Sequence, residues 1–211
     1  MPGAPRGIVR TAAIIFDLDD TLIDTKGVLL PASLRRVAAA TGIAVERLDP
    51  RGKRIDEVLA PVAGLTAAQR EAAAAAWYDP EVPPLTPLPG AVALLEELRG
   101  RVALVLLTRG QPARQRNKIA RSGLAGYFDE VVIRPIEAPG SKRDDLARLR
   151  AAYGRCVVVG DDPRDELHHA EALGIPTLRV PEVPLAAIPQ RLERLGVLAP
   201  REGSSSGPGS T

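Results

Sequence analysis

Four groups of polar residues follow short apolar runs, or lie close to one, and their types suit one kind of chemistry. Asp17-Leu18-Asp19-Asp20 follows the run Ala12 to Phe16, and Thr108-Arg109-Gly110 follows Val102 to Leu107. Asp161, Asp162 and Asp165 follow Cys156 to Val159, and Lys142 stands between the last two groups. A carboxylate can attack phosphorus and carry an aspartyl-phosphate. A second carboxylate two residues on can give a proton to a leaving group and then take one from water. Carboxylates gathered in one place repel each other, and an oxygen-preferring cation such as Mg²⁺ relieves that repulsion. The lysine and the threonine add a positive charge and a hydroxyl donor. Together these residues describe a site for an anionic, oxygen-rich group, phosphate being the obvious one.

The elements that must bring these groups together are legible from apolar periodicity. A β-branched run bounded by polar residues reads as a buried strand. Such runs are Thr11 to Phe16, Val102 to Leu107, Val131 to Ile133, Cys156 to Val159 and Thr177 to Val180. Helical spacing marks Ala91, Leu94, Leu95 and Leu98, then Pro112 to Arg121, then Leu146, Leu149 and Tyr153, then Pro163 to Leu173. Strands alternating with helices of this size predict βαβ units. The fold class is α/β: a Rossmann-like core with a parallel sheet of about five strands and helices on both faces. Ligands of open α/β sheets bind outside the carboxyl ends of the strands, where the polar groups fall.

Between the first two strands the character is helical. Leu34, Val37 and Ala38 share a face, as do Ile55, Val58 and Leu59, and Thr66 with Gln69 forms a capping box before the Ala-rich stretch 71–76. Pro80, Pro83, Pro84, Pro87 and Pro89 then stiffen a linker. The expected organisation is a discontinuous catalytic core over 8–24 and 88–197, with a helical insert and Pro-rich linker over 25–87. Met1 to Gly7 reads as loose, and 201–211 as a disordered Gly/Ser/Pro-rich tail.

Each chemical reading has a plainer rival. Asp-x-Asp alone is often a solvated turn, and a threonine ending a strand is often only a turn former. Lys142 has a neighbour, Arg143, of the same charge, and Ser141 suits the cap of a helix starting there. Asp162 suits an N-cap, Pro163 suits the first helical position, and Asp165 suits an acidic third position. Asp161 has no such role and is the preferred metal ligand, while Asp162 and Asp165 stay open between function and capping. His168 and His169 are adjacent on a helix, point apart, and read as surface or packing residues. Cys156 reads as an inert core thiol. Arg51, Lys53 and Arg54 in the insert read first as a solvated face and second as contacts to an anionic substrate.

Bulk composition narrows the class. The 211 residues are 45% hydrophobic and 26% charged, ordinary for a globular protein, and only 3% aromatic, so the core must be aliphatic. With 28 basic and 26 acidic residues, the net charge of +2 argues against a nucleic-acid partner, as does the scarcity of stacking aromatics. A single cysteine excludes an internal disulfide and fits a reducing cytoplasm. No long apolar segment precedes Asp17, so neither a signal peptide nor a membrane span is expected.

The motifs resemble those of the haloacid dehalogenase-like hydrolase superfamily. Ile14 to Leu22 resembles its first motif, Leu106 to Gly110 its second, Lys142 stands for its third, and Val158 to Asp165 resembles its fourth. They occur in the family's order from about Thr11 to Val180, with the helical insert where the family's C1-type cap lies. The family's third motif often reads Lys-Pro, where this chain has Lys142-Arg143. The resemblance implies that Asp17 is the nucleophile and a Mg²⁺ ligand. Asp19 would be the acid and base, lending its backbone carbonyl to the metal. Thr108 would bind phosphoryl oxygens, with Arg109 beside it at the substrate, and Lys142 would stabilise charge on the nucleophile and transition state. Asp161 would complete the metal site with Asp165 or Asp162. Dehalogenase members lack an aspartate matching Asp19, because halide leaves unaided whereas an alkoxide must be protonated. The implied function is therefore Mg²⁺-dependent hydrolysis of a small-molecule phosphate monoester. A phosphomutase-like transferase and a weakly active binding module on the same fold are the alternatives.

Overall fold

The computed structural model of the protein describes residues 11–52 and 54–200. The start read as loose, residues 8–10 of the expected core, Lys53 and the tail expected over 201–211 lie outside the described residues.

Five parallel strands form one sheet among the described residues: β1 (Ala12–Phe16), β2 (Ala103–Arg109), β3 (Glu130–Arg134), β4 (Arg155–Gly160) and β5 (Thr177–Arg179). Their order is β3-β2-β1-β4-β5, with β1 central. In register, Phe16 stands beside Leu106 on one side and Val159 on the other. The three strands expected to carry the chemistry are therefore neighbours, and their carboxyl ends share one edge. Strand alternation sends side chains to two cores. Ile14, Phe16, Leu104, Leu106, Val157 and Val159 pack on one face under α4 (Ala91–Leu98), α5 (Pro112–Arg121) and α8 (Ile188–Arg194). Ala13, Ile15, Val105, Leu107, Cys156 and Val158 pack on the other under α6 (Lys142–Tyr153) and α7 (Glu166–Glu171). Both faces are covered, which is why the strands read as continuous apolar runs.

The segment between β1 and β2 carries α1 (Leu30–Thr41), α2 (Ile55–Leu59) and α3 (Ala67–Tyr78). They enclose a separate cluster of Leu34, Val37, Val58, Leu59, Ala73 and Ala76. Thr66 and Gln69 form the capping box read from the sequence, with Gln69 N–H donating to Thr66 Oγ1 at 3.1 Å and Thr66 N–H to Gln69 Oε1 at 3.1 Å. The chain returns to the core in extended form: Leu88 N–H donates to the Leu22 carbonyl at 2.8 Å, beside the exit of the insert. Arg114 of α5, only 9% exposed, ties the two parts together by donating to Ser33 Oγ of α1 at 2.6 Å and to the Asp79 carbonyl. No helix of the described residues is long and apolar enough to cross a membrane.

One boundary differs from the sequence reading with consequences for the site. The helix expected from Pro163 begins at Glu166, with Asp165 as the N-cap residue. Pro163, Arg164 and Asp165 form a turn instead, closed by Arg164 N–H donating to Asp162 Oδ1 at 2.9 Å. A local Asx turn competes here with helix initiation and wins.

Candidate active site

Asp17 is the first residue beyond β1, and its N–H continues the ladder by donating to the Val159 carbonyl at 2.9 Å. That bond fixes its side chain at the junction of β1 and β4, the sheet's switch point. Asp17 is 7% exposed. The chain then curls tightly: the Leu22 and Ile23 N–H groups both donate to the Leu18 carbonyl. Asp20 takes a left-handed φ of 57°, which aspartate tolerates better than most residues, and its Oδ1 accepts from Lys26 N–H at 2.9 Å. This curl returns Asp19 to the same edge and starts the helical insert with a π-helical turn, Thr25–Leu29.

Lys142, the first residue of α6, is 3% exposed and turned into the crevice. Its neighbour Arg143 is exposed, so the helix start itself separates the two rivals. Ser141 caps the helix as expected, accepting from Arg143 N–H at 3.3 Å. Lys142 Nζ lies 2.8 Å from Asp17 Oδ1, 2.9 Å from Glu166 Oε2 and 3.2 Å from Asp165 Oδ2. One ammonium is shared by three carboxylates, and its pKa is raised: burial opposes the charge, but Asp17, Glu166 and Asp165 together outweigh it. The same sharing leaves Asp17 under-compensated. Burial is the main cause lifting its carboxyl from 3.8 to about 7, Glu166 and Asp19 adding to the lift and Lys142 opposing it. The two partners shift in opposite senses for an ion pair, because Lys142 has three anions and Asp17 has a fraction of one cation.

Asp161, just beyond β4, offers a carboxylate oxygen within 4.8 Å of oxygens from Asp17 and Glu166. Lys26 of the insert reaches this group, 3.0 Å from Asp161 Oδ2 and 3.2 Å from Asp20 Oδ2. Glu166 was not singled out in the sequence, because the helix was expected to begin before it. The signal for it is Gly160. A Cβ at Gly160 would overlap Glu166 Oε1, so the glycine ending β4 clears the space that the carboxylate fills. Glu166 also accepts from Asp162 N–H at 3.0 Å, which locks its orientation.

Asp19 has its own set of partners. Lys118 Nζ of α5 lies 2.9 Å from both carboxylate oxygens, Gln115 Nε2 donates to Oδ2 at 3.3 Å, and Thr25 Oγ1 donates to Oδ1. Burial alone would raise its pKa, but Lys118, Thr25 and Gln115 more than offset burial and hold it below the usual aspartate value. Thr108, 1% exposed at the end of β2, accepts from the same Gln115 amide at 2.6 Å. Lys118 and Gln115 escaped the sequence reading, since a basic residue in a polar helix reads as solvated.

Of the residues singled out from sequence, Asp17, Asp161 and Lys142 meet directly, and Asp19 and Thr108 are joined through Gln115. Arg109 meets them only through its backbone carbonyl, which accepts from the Gln115 amide at 3.3 Å; its guanidinium donates to the Ile136 carbonyl at 3.0 Å. Asp165 sits on Lys142, and Asp162 closes the turn before α7. His169 faces Asp165 at 3.9 Å, and His168 is exposed. Cys156 is buried, with its thiol pushed up to about 11 by desolvation. Arg51 pairs with Asp49 and Arg54 with Asp56 on the surface.

A crevice at the carboxyl edge of a parallel sheet, with a buried aspartate, a second aspartate two residues on, and a lysine from the next crossover, defines a class. Residues 11–172 match the haloacid dehalogenase-like hydrolase family, and the chain belongs to it. It is similar to the pyrimidine 5'-nucleotidase YjjG of Escherichia coli (strain K12), 36% identical over 88 residues, 39% of this chain and 39% of that protein. It is also similar to the N-acylneuraminate-9-phosphatase of Homo sapiens, 28% identical over 188 residues, 75% of this chain and 73% of that protein. In structure it resembles a haloacid dehalogenase-like family hydrolase from Xanthomonas campestris with TM-score 0.62 at 18% identity, covering 87% of this chain and 95% of that one. That likeness is one of fold.

Proposed function

We propose that the protein is a phosphatase that hydrolyses a small-molecule phosphate monoester through phospho-Asp17. The observation that carries this reading is the buried Asp17, held by Lys142 at 2.8 Å and meeting Asp161 and Glu166 at the end of the central strand. A nucleotidase and a phosphatase among its relatives support it.

The three converging carboxylates are hard oxygen donors with more negative charge than Lys142 balances, which suits Mg²⁺. Asp17, Asp161 and Glu166 would hold the ion. In that role Glu166 replaces Asp165, which supports Lys142, and Asp19 contributes at most its backbone carbonyl. When bound, the ion would offset the repulsion among these carboxylates and the charge on the phosphoryl group. Lys142 draws the phosphoryl oxygens towards Asp17 and stabilises charge built up on them. Thr108 presents its hydroxyl to the same oxygens. Asp17 attacks phosphorus, and the ester oxygen leaves with a proton from Asp19. The approach of an anionic substrate raises the affinity of Asp19 for that proton. Asp19, once ionised, then takes a proton from water.

The helical insert would act as a cap. Its first turn already touches the site through Thr25 on Asp19 and Lys26 on Asp161, and closure would exclude bulk water. The reading is of an enzyme working in the cytoplasm, which the free buried Cys156 suits.

The test is hydrolysis of p-nitrophenyl phosphate with Mg²⁺ and with EDTA. Activity should require the metal, and Asp17→Asn should lower it by more than about a thousandfold. Metal-independent turnover, or turnover retained in the variant, would overturn the reading.

A further inference from the structure

The side chain of Asp19 is held from α5, an element that carries none of the family-like motif residues. Arg114 and Gln115 lie four and three residues before Lys118, and all three are buried on this helix. Lys118 is 7% exposed, and its Nζ sits 2.9 Å from both oxygens of Asp19, a geometry that fixes the plane of the carboxylate. Gln115, 1% exposed, spans Asp19 Oδ2 and Thr108 Oγ1 with one amide nitrogen. Space for that amide is kept by Gly110, where a Cβ would stand 2.9 Å from Gln115 Cγ and Cδ. A long polar side chain crossing the end of β2 over a glycine is more than a means of neutralising one buried charge. It couples the residue that would bind phosphoryl oxygens to the residue that would handle protons.

We propose that Lys118, assisted by Gln115, is the positioning residue that aims the Asp19 carboxylate at water during hydrolysis of phospho-Asp17. In that step the water oxygen bonds to phosphorus, and the bond from phosphorus to the Asp17 carboxylate oxygen breaks. The electron pair returns to Asp17, one water proton passes to Asp19, and inorganic phosphate leaves. The inference rests on the aspartyl-phosphate reading above. Phosphorylation of Asp17 by an aryl ester, whose leaving group departs without help, places little demand on Asp19. Hydrolysis of the intermediate places a full demand on it.

The two half-reactions therefore separate in Lys118→Met. With p-nitrophenyl phosphate, kcat should fall by at least about tenfold. KM should fall with it, kcat/KM should change little, and acid-quenched protein should carry more covalent phosphate than wild type in the steady state. Lys118→Arg, which keeps two donors, should recover part of kcat. Gln115→Met should show the same split in smaller measure and serves if Lys118→Met does not fold. Parallel loss of kcat and kcat/KM without extra phosphoprotein, or unchanged kcat, would overturn the inference and leave the phosphatase reading standing. Absence of covalent phosphate in an active wild type would overturn both.

Discussion

At the scale of single residues the site is governed by an imbalance of charge. Lys142 serves Asp17, Asp165 and Glu166 at once, so Asp17 keeps much of its cost of burial and binds its proton up to a pH of about 7. An unfolded chain releases that proton near 3.8. Between these values the folded protein holds a proton that the unfolded chain has lost. The associated stability is present in full below 3.8, declines as pH rises, and is gone above about 7. Asn at this position cannot titrate. In metal-free protein, Asp17→Asn should therefore gain stability over wild type progressively as pH rises through that window, read from urea midpoints at each pH. A gap that stays constant or shrinks would show that Asp17 is not held protonated by burial. Asp19 lies two residues away and is shifted the other way, because Lys118, Thr25 and Gln115 outweigh its burial. These shifts belong to the metal-free protein; a cation held by Asp17, Asp161 and Glu166 would favour the ionised Asp17 that attack on phosphorus requires.

At the scale of elements, the site depends on what each strand end leaves room for. Gly160 ends β4 and Glu166 begins α7, and the carboxylate lies in the space a side chain at 160 would take. Gly160→Ala should push Glu166 out of the acidic cluster, cost about 1–3 kcal/mol through overpacking, and weaken Mg²⁺ binding, read as the metal concentration at half of the thermal shift. An unchanged metal midpoint would show that Glu166 is not a ligand. This junction also shows where the sequence was and was not legible. Strands β1, β2 and β4 were readable because both faces are buried and the runs are continuous, and the polar groups that end them stood out for that reason. The capping box at Thr66 and the helix cap at Ser141 were readable because they are local. Glu166 was missed because the turn over 163–165 takes residues that periodicity assigns to a helix. Lys118 and Gln115 were missed because their partners are 99 and 96 residues away. Nothing in a local pattern tells a buried lysine from a solvated one until the helix is packed.

At the scale of the whole molecule, one sheet edge collects residues from four crossings: Asp17 and Asp19 after β1, Thr108 on β2, Lys142 at the start of α6, and Asp161 and Glu166 after β4. The helical insert leaves this edge and returns to it, so its first turn and Arg114 of α5 join two hydrophobic clusters around the same crevice. On the proposed reading, such a division would let the core perform phosphoryl transfer while the insert, with its own cluster, governs access. The central claim is that phosphate passes through a covalent bond to Asp17. It is tested most directly by mixing the protein with p-nitrophenyl phosphate and Mg²⁺, quenching in acid within a turnover, and locating phosphate by peptide mass spectrometry. The account predicts phosphate on the peptide bearing Asp17, on that residue, and none in EDTA. Turnover without covalent phosphate, or with phosphate on another residue, would contradict it.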